Sequence, residues 1–392
     1  MTNREPVAAN SALPRGATIE VDPLRRNQRP ASERFEPLLE IQHLTVEYGV
    51  GAVAVSGFDL TIGRGEIVGI VGESGSGKST LAYAVMRLLR EPAHIREGRI
   101  LYYQGDSATE LRAVERDQLR ALRWSELAIV FQSAMNALNP VMTLHAQIDD
   151  VLRAHDRTLT RTSRRERGEE LFKLVGIPLD RLRAYPHELS GGMRQRALIA
   201  IALALKPNLL IMDEPTTALD VVTQRQILDE LLRLRAELGF SMMFVTHDLA
   251  LIMDIADRIV VMYAGRAVEA GGPEDLLRDP RHPYTIGLLN SFPTVSGPKR
   301  RLTGIPGFPP NIAELPQGCA FHPRCDRALD VCRQQVPTFT VEEGSNRGVR
   351  CWLHGASTTL GAEASVAGQQ CEPAKLACNQ GSDMDRGRSS GP

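Results

Sequence analysis

Between Leu38 and about Arg278, short runs of consecutive apolar residues alternate with stretches in which apolar residues recur every three or four positions. A short apolar run bounded by polar residues fits a strand covered on both faces. This predicts strands at Ile67–Val71, Leu127–Phe131, Leu209–Met212, Met242–Val245 and Ile259–Met262. The helical period predicts helices over Lys78–Arg90, Thr223–Leu238 and Leu249–Ala256. A further helical block, about Leu144–Val175, interrupts the alternation and marks a helical subdomain inserted at about 140–205. Strands alternating with helices predict an α/β domain with a mixed sheet over residues 38–278.

The flanks read differently. Residues 1–37 are polar, punctuated by Pro6, Pro14, Pro23, Pro30 and Pro37, and are expected to form a flexible arm. In residues 279–354 periodicity fades while prolines and cysteines rise, which predicts a small accessory domain held by something other than a large core. Residues 355–392, rich in Gly, Ser, Ala and Gln, read as a disordered tail. A chain of 392 residues exceeds one compact core. No internal repeat is visible, so one copy of the α/β domain is expected.

Composition narrows the partners. The formal net charge is -1, so no global field draws the chain to nucleic acid or to an anionic membrane. The richest apolar run, Ala197–Leu205, falls well short of the roughly 20 residues a membrane helix needs. The N-terminus lacks an apolar signal core, which makes the cytoplasm the expected compartment and favours cysteines that are reduced or metal-bound.

The chemistry is concentrated in two segments. GESGSGKST follows the apolar run IVGIV and precedes the helical run LAYAVMRLL, the strand, loop and helix order of a phosphate-binding loop. Gly72, Gly75 and Gly77, with Glu73, Ser74 and Ser76 between them, let backbone N–H groups turn inward, and the helix start adds its positive dipole end. Lys78 would reach the β and γ phosphates of a nucleotide, and Ser79, followed by Thr80, would hold Mg2+. The second segment, LLIMDEP, ends a strand in two acids. Asp213 is placed beside the metal, where a buried carboxylate is otherwise costly, and Glu214 can polarise a water for attack on the γ phosphate.

LSGGMRQR, Leu189–Arg196, lies before the second segment and resembles the signature of the ATP-binding cassette ATPases. Other stations of that family match in order: Tyr48 in VEYG the aromatic that stacks on adenine, Gln132 in VFQ the Q-loop glutamine, and Ala218, Leu219 and Asp220 the D-loop. His247 in FVTHD matches the switch histidine that contacts the γ phosphate. Taken singly each has a plainer reading; Ser190, before Gly191 and Gly192, is also a favoured helix N-cap. The resemblance implies the P-loop cassette fold, ATP and Mg2+ as ligands, and a head-to-tail pair of cassettes. In that pair the phosphate loop of one subunit and the signature of the other enclose one ATP.

SAMNALNPVMTL after the Q-loop and RHPYTIGLL at Arg281–Leu289 resemble the dipeptide and oligopeptide importer branch. That resemblance implies two membrane permeases, an external solute-binding protein and a peripheral seat on the cytoplasmic face of the membrane. The branch also handles nickel chelates, glutathione and oligosaccharides. A non-transport cassette acting on DNA or ribosomes is the rival reading, weakened by the absence of room for a coiled-coil insertion. Cys319, Cys325, Cys332 and Cys351 fall in the accessory piece. Their spacing leaves zinc and iron–sulfur ligation open, with His322 a competing zinc ligand. The branch resemblance implies a [4Fe-4S] cluster. Cys371 and Cys378 lie in the expected tail and read as spectators.

Overall fold

The computed structural model describes residues 36–132, 137–217, 219–291 and 304–354. Outside the described residues lie most of the expected N-terminal arm, the tail with Cys371 and Cys378, Ser133–Asn136 of the post-Q-loop segment, and Ala218.

Two sheets build the fold. The chain begins with β1 (Pro37–Tyr48) and β2 (Ala52–Gly63), enters β3 (Ile67–Val71) and α1 (Lys78–Val85), and returns through β4 (Ala93–Gln104) and β5 (Ser107–Glu110). Strands β1, β2, β4 and β5 form an antiparallel sheet in the order β2-β1-β4-β5. After α2 (Arg116–Ser125) and β6 (Leu127–Val130) comes the inserted helical region, α3 (Leu144–His155), α4 (Arg161–Leu174) and α5 (Gly191–Ala202). Then follow β7 (Leu209–Asp213), α6 (Val221–Leu238), β8 (Ser241–Thr246), α7 (Leu249–Met253), β9 (Arg258–Tyr263) and β10 (Arg266–Gly271). The last elements are α8 (Pro273–Arg278), α9 (Pro283–Asn290), β11 (Thr340–Val341) and β12 (Gly348–Val349).

The second sheet runs β11-β12-β10-β9-β3-β8-β7-β6, with β9, β3, β8, β7 and β6 mutually parallel and the other three strands antiparallel at one edge. Its parallel strands read as continuous apolar runs because each face meets a different core. On β8, Met242 and Phe244 join the core beneath the helices, while Met243 and Val245 face the antiparallel sheet and α1. The same alternation divides Leu210 and Met212 from Leu209 and Ile211 on β7. Side chains buried in this way contribute roughly 1.5–3 kcal/mol each, which makes the strand register unambiguous.

Predicted and observed elements differ mainly at ends. Helix α1 stops at Val85 rather than Arg90, and α7 at Met253 rather than Ala256; Phe131 lies just beyond β6 and is half-exposed. Residues 304–354 have no separate core. Phe321 joins Tyr284 and Leu288 in the core beneath the helices, with Ile305, Leu315, Cys319 and Cys325 packed against it, and β12 pairs with β10. Among the described residues no helix is long and apolar enough to cross a membrane.

Candidate nucleotide site

Four adjacent strands, β3, β8, β7 and β6, end at the same edge of the sheet, and the segment after each carries one of the predicted groups. Ligands of open α/β sheets gather at such carboxyl ends. Gly72–Thr80 follows β3, His247 follows β8, Asp213 and Glu214 close β7, and Gln132 follows β6.

The loop after β3 needs its glycines. A Cβ on Gly72 would lie 2.1 Å from the Met262 carbonyl oxygen, and Gly77 has a φ of 98° with the Ala54 carbonyl 2.2 Å from where its Cβ would stand. Lys78 is buried, and its ammonium donates to the carbonyls of Gly72 and Glu73, each at 2.8 Å. Burial holds the Lys78 pKa below the ordinary lysine range, against the opposing pull of Glu214, Asp213 and Glu73. The lysine ammonium is thus held on the carbonyls of its own loop.

Asp213 is fully buried. Its Oδ1 accepts from the Ser79 hydroxyl at 2.9 Å, while Oδ2 is buried with no hydrogen-bond partner. Burial pushes its pKa up. The nearby Tyr83 hydroxyl is pushed up to about 12, first by burial and then by Asp213. An orphaned carboxylate oxygen beside a serine hydroxyl fits the oxygen ligands that magnesium takes.

Glu214 has a φ of 45°, which a non-glycine residue adopts only when its surroundings impose it. Its N–H donates to the Val245 carbonyl at 2.9 Å. Its carboxylate accepts from Gln132 Nε2 at 3.0 Å and the Thr217 hydroxyl at 3.1 Å, and His247 Nδ1 lies 3.3 Å away. Residues from three strand ends therefore converge on one carboxylate.

A cleft of about 340 Å³ opens over these groups. Ser74, Gly75, Gly77, Lys78, Ser79 and Thr80 line it, together with Gln132 and Glu214 and with Tyr48, Ala52 and Ala54. Tyr48 is half-exposed, with its hydroxyl 3.2 Å from Thr80 Oγ1, which leaves the ring open to a flat ligand. Gly72, Glu73, Ser76, Asp213 and His247 are not among the lining residues.

The signature residues are elsewhere. Ser190 caps α5, accepting from the Met193 N–H at 3.3 Å, and a Cβ on Gly192 would stand 2.7 Å from Thr223 Cγ2. Asp220 caps α6 through Thr223, whose hydrogen bonds hold its carboxyl below the usual carboxylate range. None of Ser190, Gly191, Gly192 or Asp220 lines the cleft of its own chain.

The ABC transporter family matches residues 55–217. The chain is 47% identical over 329 residues to a putative peptide import ATP-binding protein of Brucella melitensis, covering 81% of this chain and 97% of that protein. It belongs to the ATP-binding cassette transporter ATPases. The oligopeptide/dipeptide transporter C-terminal region matches residues 268–332 of this cassette ATPase. Similar proteins include the oligopeptide transport ATP-binding protein OppD of Bacillus subtilis, 42% identical over 82% of this chain and 90% of that one. The dipeptide transport ATP-binding protein DppD of Haemophilus influenzae is also 42% identical, covering 80% and 94% respectively. Among solved structures, cbiO1 of Clostridium perfringens superposes with a TM-score of 0.55 at 30% identity, covering 62% of this chain and 92% of that one. The dimeric cassette MJ0796 bound to ADP and Pi gives 0.53 at 29% identity, covering 60% and 99%.

Two features of this cassette ATPase were not legible in the sequence. Asn311, Ile312 and Ala313, from the accessory piece, line the nucleotide cleft. Arg324, between Cys319 and Cys325, forks onto Glu73 of the phosphate loop at 2.6 and 3.0 Å. Desolvation works against the Arg324 cation, and its bonds to Glu73 and Tyr263 more than offset this, leaving its pKa raised.

The four cysteines are free thiols gathered in one region, with the Cys319 N–H donating to the Cys332 carbonyl at 2.8 Å. Burial pushes the Cys351 thiol up to about 11, and Cys319, Cys325 and Cys332 add to the rise. Yet among the described residues no three His, Cys, Asp or Glu side chains are grouped so as to hold a metal ion. The expected [4Fe-4S] cluster, and zinc with it, thus receives no support from the side-chain geometry. Cys319 and Cys325 pack against the core, and burial pushes both of these thiols up.

Proposed function

We propose that this ATPase energises an importer of dipeptides or oligopeptides, seated on the cytoplasmic face of the membrane beneath two permeases that an external solute-binding protein supplies. The observation that carries the catalytic part is Glu214, pinned at a strained backbone position by Gln132, Thr217 and the neighbouring His247. The solute class rests on the peptide-transport names of the similar proteins and on the C-terminal match.

In this reading Lys78 leaves the Gly72 and Glu73 carbonyls for the β and γ phosphates, and the inward N–H groups of Gly72–Thr80 bind the remaining oxygens. Ser79 and the free Oδ2 of Asp213, with Gln132, would hold Mg2+, which supplies charge neutralisation of the phosphates. Glu214 orients and polarises the attacking water, and His247 donates to the γ phosphate. Tyr48 stacks on the base. Ser190, Gly191, Gly192 and Asp220, which do not line their own cleft, serve the nucleotide of a second cassette, a paralogue or another copy. ATP then closes the pair and hydrolysis releases it. Lys78→Ala tests the site: nucleotide binding is expected to vanish, and full ATPase activity in that variant would remove the assignment. Peptide uptake by cells lacking the chain tests the solute.

The cysteines are proposed as ligands of a [4Fe-4S] cluster on the strength of their donor chemistry and of the likeness to the oligopeptide importer branch, and not of the side-chain geometry. Thiols that resist ionisation in isolation become thiolates on metal binding, and that binding energy adds to folding. Anaerobic purification followed by visible absorbance and metal analysis decides the matter. A colourless protein loaded with zinc would replace the cluster by the alternative ion, and a metal-free one would remove both.

A further inference from the structure

The phosphate loop is an anion site with an unusual surplus of acids. Lys78 feels three carboxylates, Glu214, Asp213 and Glu73, and is the cation the loop itself supplies. In the proposed mechanism magnesium answers Asp213 and the attacking water occupies Glu214. Glu73 has no such use, yet it stands at the start of the loop with its side chain only 26% exposed.

Its partner arrives from 251 residues away. Arg324 is itself buried, and its guanidinium spends both Nη atoms on the two Glu73 oxygens while Nε donates to the Pro306 carbonyl at 2.7 Å. It lies 5.9 Å from the centre of the Tyr263 ring, in an aromatic box completed by Tyr284 and Phe321. The Tyr284 hydroxyl accepts the Glu73 N–H at 2.8 Å, so the same box grips the peptide and the carboxylate of one residue.

We propose that Arg324 is a positioning residue for nucleotide binding: it neutralises Glu73 and fixes its peptide, so that the loop presents net positive character to the polyphosphate. The inference rests on the reading of Gly72–Thr80 as the phosphate cradle. Without Arg324 the Glu73 carboxylate remains, partly desolvated, beside an arriving anion, and the resulting repulsion grows with the number of phosphates and shrinks with salt.

The test is binding of Mg-ATP and Mg-ADP to the anaerobically purified full chain, followed with a fluorescent nucleotide. Arg324→Gln is expected to weaken ATP binding roughly tenfold, ADP less, with the deficit reduced at high salt. Adding Glu73→Gln on that background recovers most of the loss, because the unanswered charge is gone. Arg324→Lys, which keeps the cation but not the fork, stays within about threefold of the wild type and guards against the case in which the glutamine variant does not fold. An unchanged affinity in Arg324→Gln, a double variant as weak as the single one, or a lysine variant as weak as the glutamine one would each overturn the proposal. Lys78→Ala, measured in parallel, separates the two claims: if it binds ATP like the wild type, the cradle reading fails, whereas if it loses ATP while the Arg324 series is flat, only the role of Arg324 fails.

Discussion

At the scale of single residues, the site divides groups that bind from groups that react. Glu214 is held by neighbours that do not neutralise it fully, since two of its three contacts are an amide and a hydroxyl. Glu214→Gln should therefore keep ATP binding while hydrolysis falls about a hundredfold or more, as expected when a general base is removed. Single-turnover measurement on pre-bound ATP checks this, and brisk hydrolysis would point to another base. In the proposed reading Tyr48 acts on binding alone. Tyr48→Ala should weaken ATP by about 1–3 kcal/mol and Tyr48→Trp should restore it, the pattern of a stacking platform; equal affinities across the series would place the base elsewhere.

Among the elements, α9 shows how the accessory piece is tied to the sheet. Glu269, wholly buried on β10, accepts the N–H groups of Arg281 and His282 at 2.7 and 2.8 Å. His282 in turn accepts the Tyr284 N–H on Nδ1 at 3.0 Å, so it caps the helix only while that nitrogen is unprotonated. Burial, with a smaller push from His354, lowers its pKa from 6.5 to about 3. The unfolded chain thus takes up a proton that the folded one refuses. The stability from this residue is complete above the unfolded value of 6.5 and is lost as pH falls toward 3. The melting temperature should drop as pH falls from about 7 to about 4.5, and His282→Asn, although less stable throughout, should show a shallower drop. Parallel curves would assign the acid sensitivity to other groups.

Sequence pattern exposed some elements and hid others for physical reasons. Strands β3, β7, β8 and β9 were legible because burial on both faces leaves their central residues in consecutive apolar runs. Strands β1, β2 and β4, each of 12 residues, were not, because their pairing is broken by register shifts that disrupt the two-residue period. His43, with a φ of 48°, sits at one such break between Ile41 and Leu44. The groups proposed to act on the nucleotide were legible because each lies next to a strand end of recognisable pattern. The contact of Arg324 with Glu73 and the entry of Asn311–Ala313 into the cleft join remote segments, and no local spacing encodes them.

For the whole molecule, the decisive feature is that the accessory piece and the ATPase sheet form one packed body. Four residues of β11 and β12 close the β10 side of the eight-stranded sheet. Deleting residues 336–354 should therefore cost solubility and not merely a regulatory appendage, as the yield of soluble protein after expression will report; a well-behaved truncated cassette would contradict this. The same closure sets a timetable during synthesis. Strand β10 leaves the ribosome long before Gly348 and Val349 can pair with Ala270 and Glu269, so the nascent chain carries an open ladder of amide and carbonyl groups throughout that interval. Crowded polysomes translating this message would then bring identical unfinished edges side by side, and the arrival of Gly348 and Val349 ends the hazard.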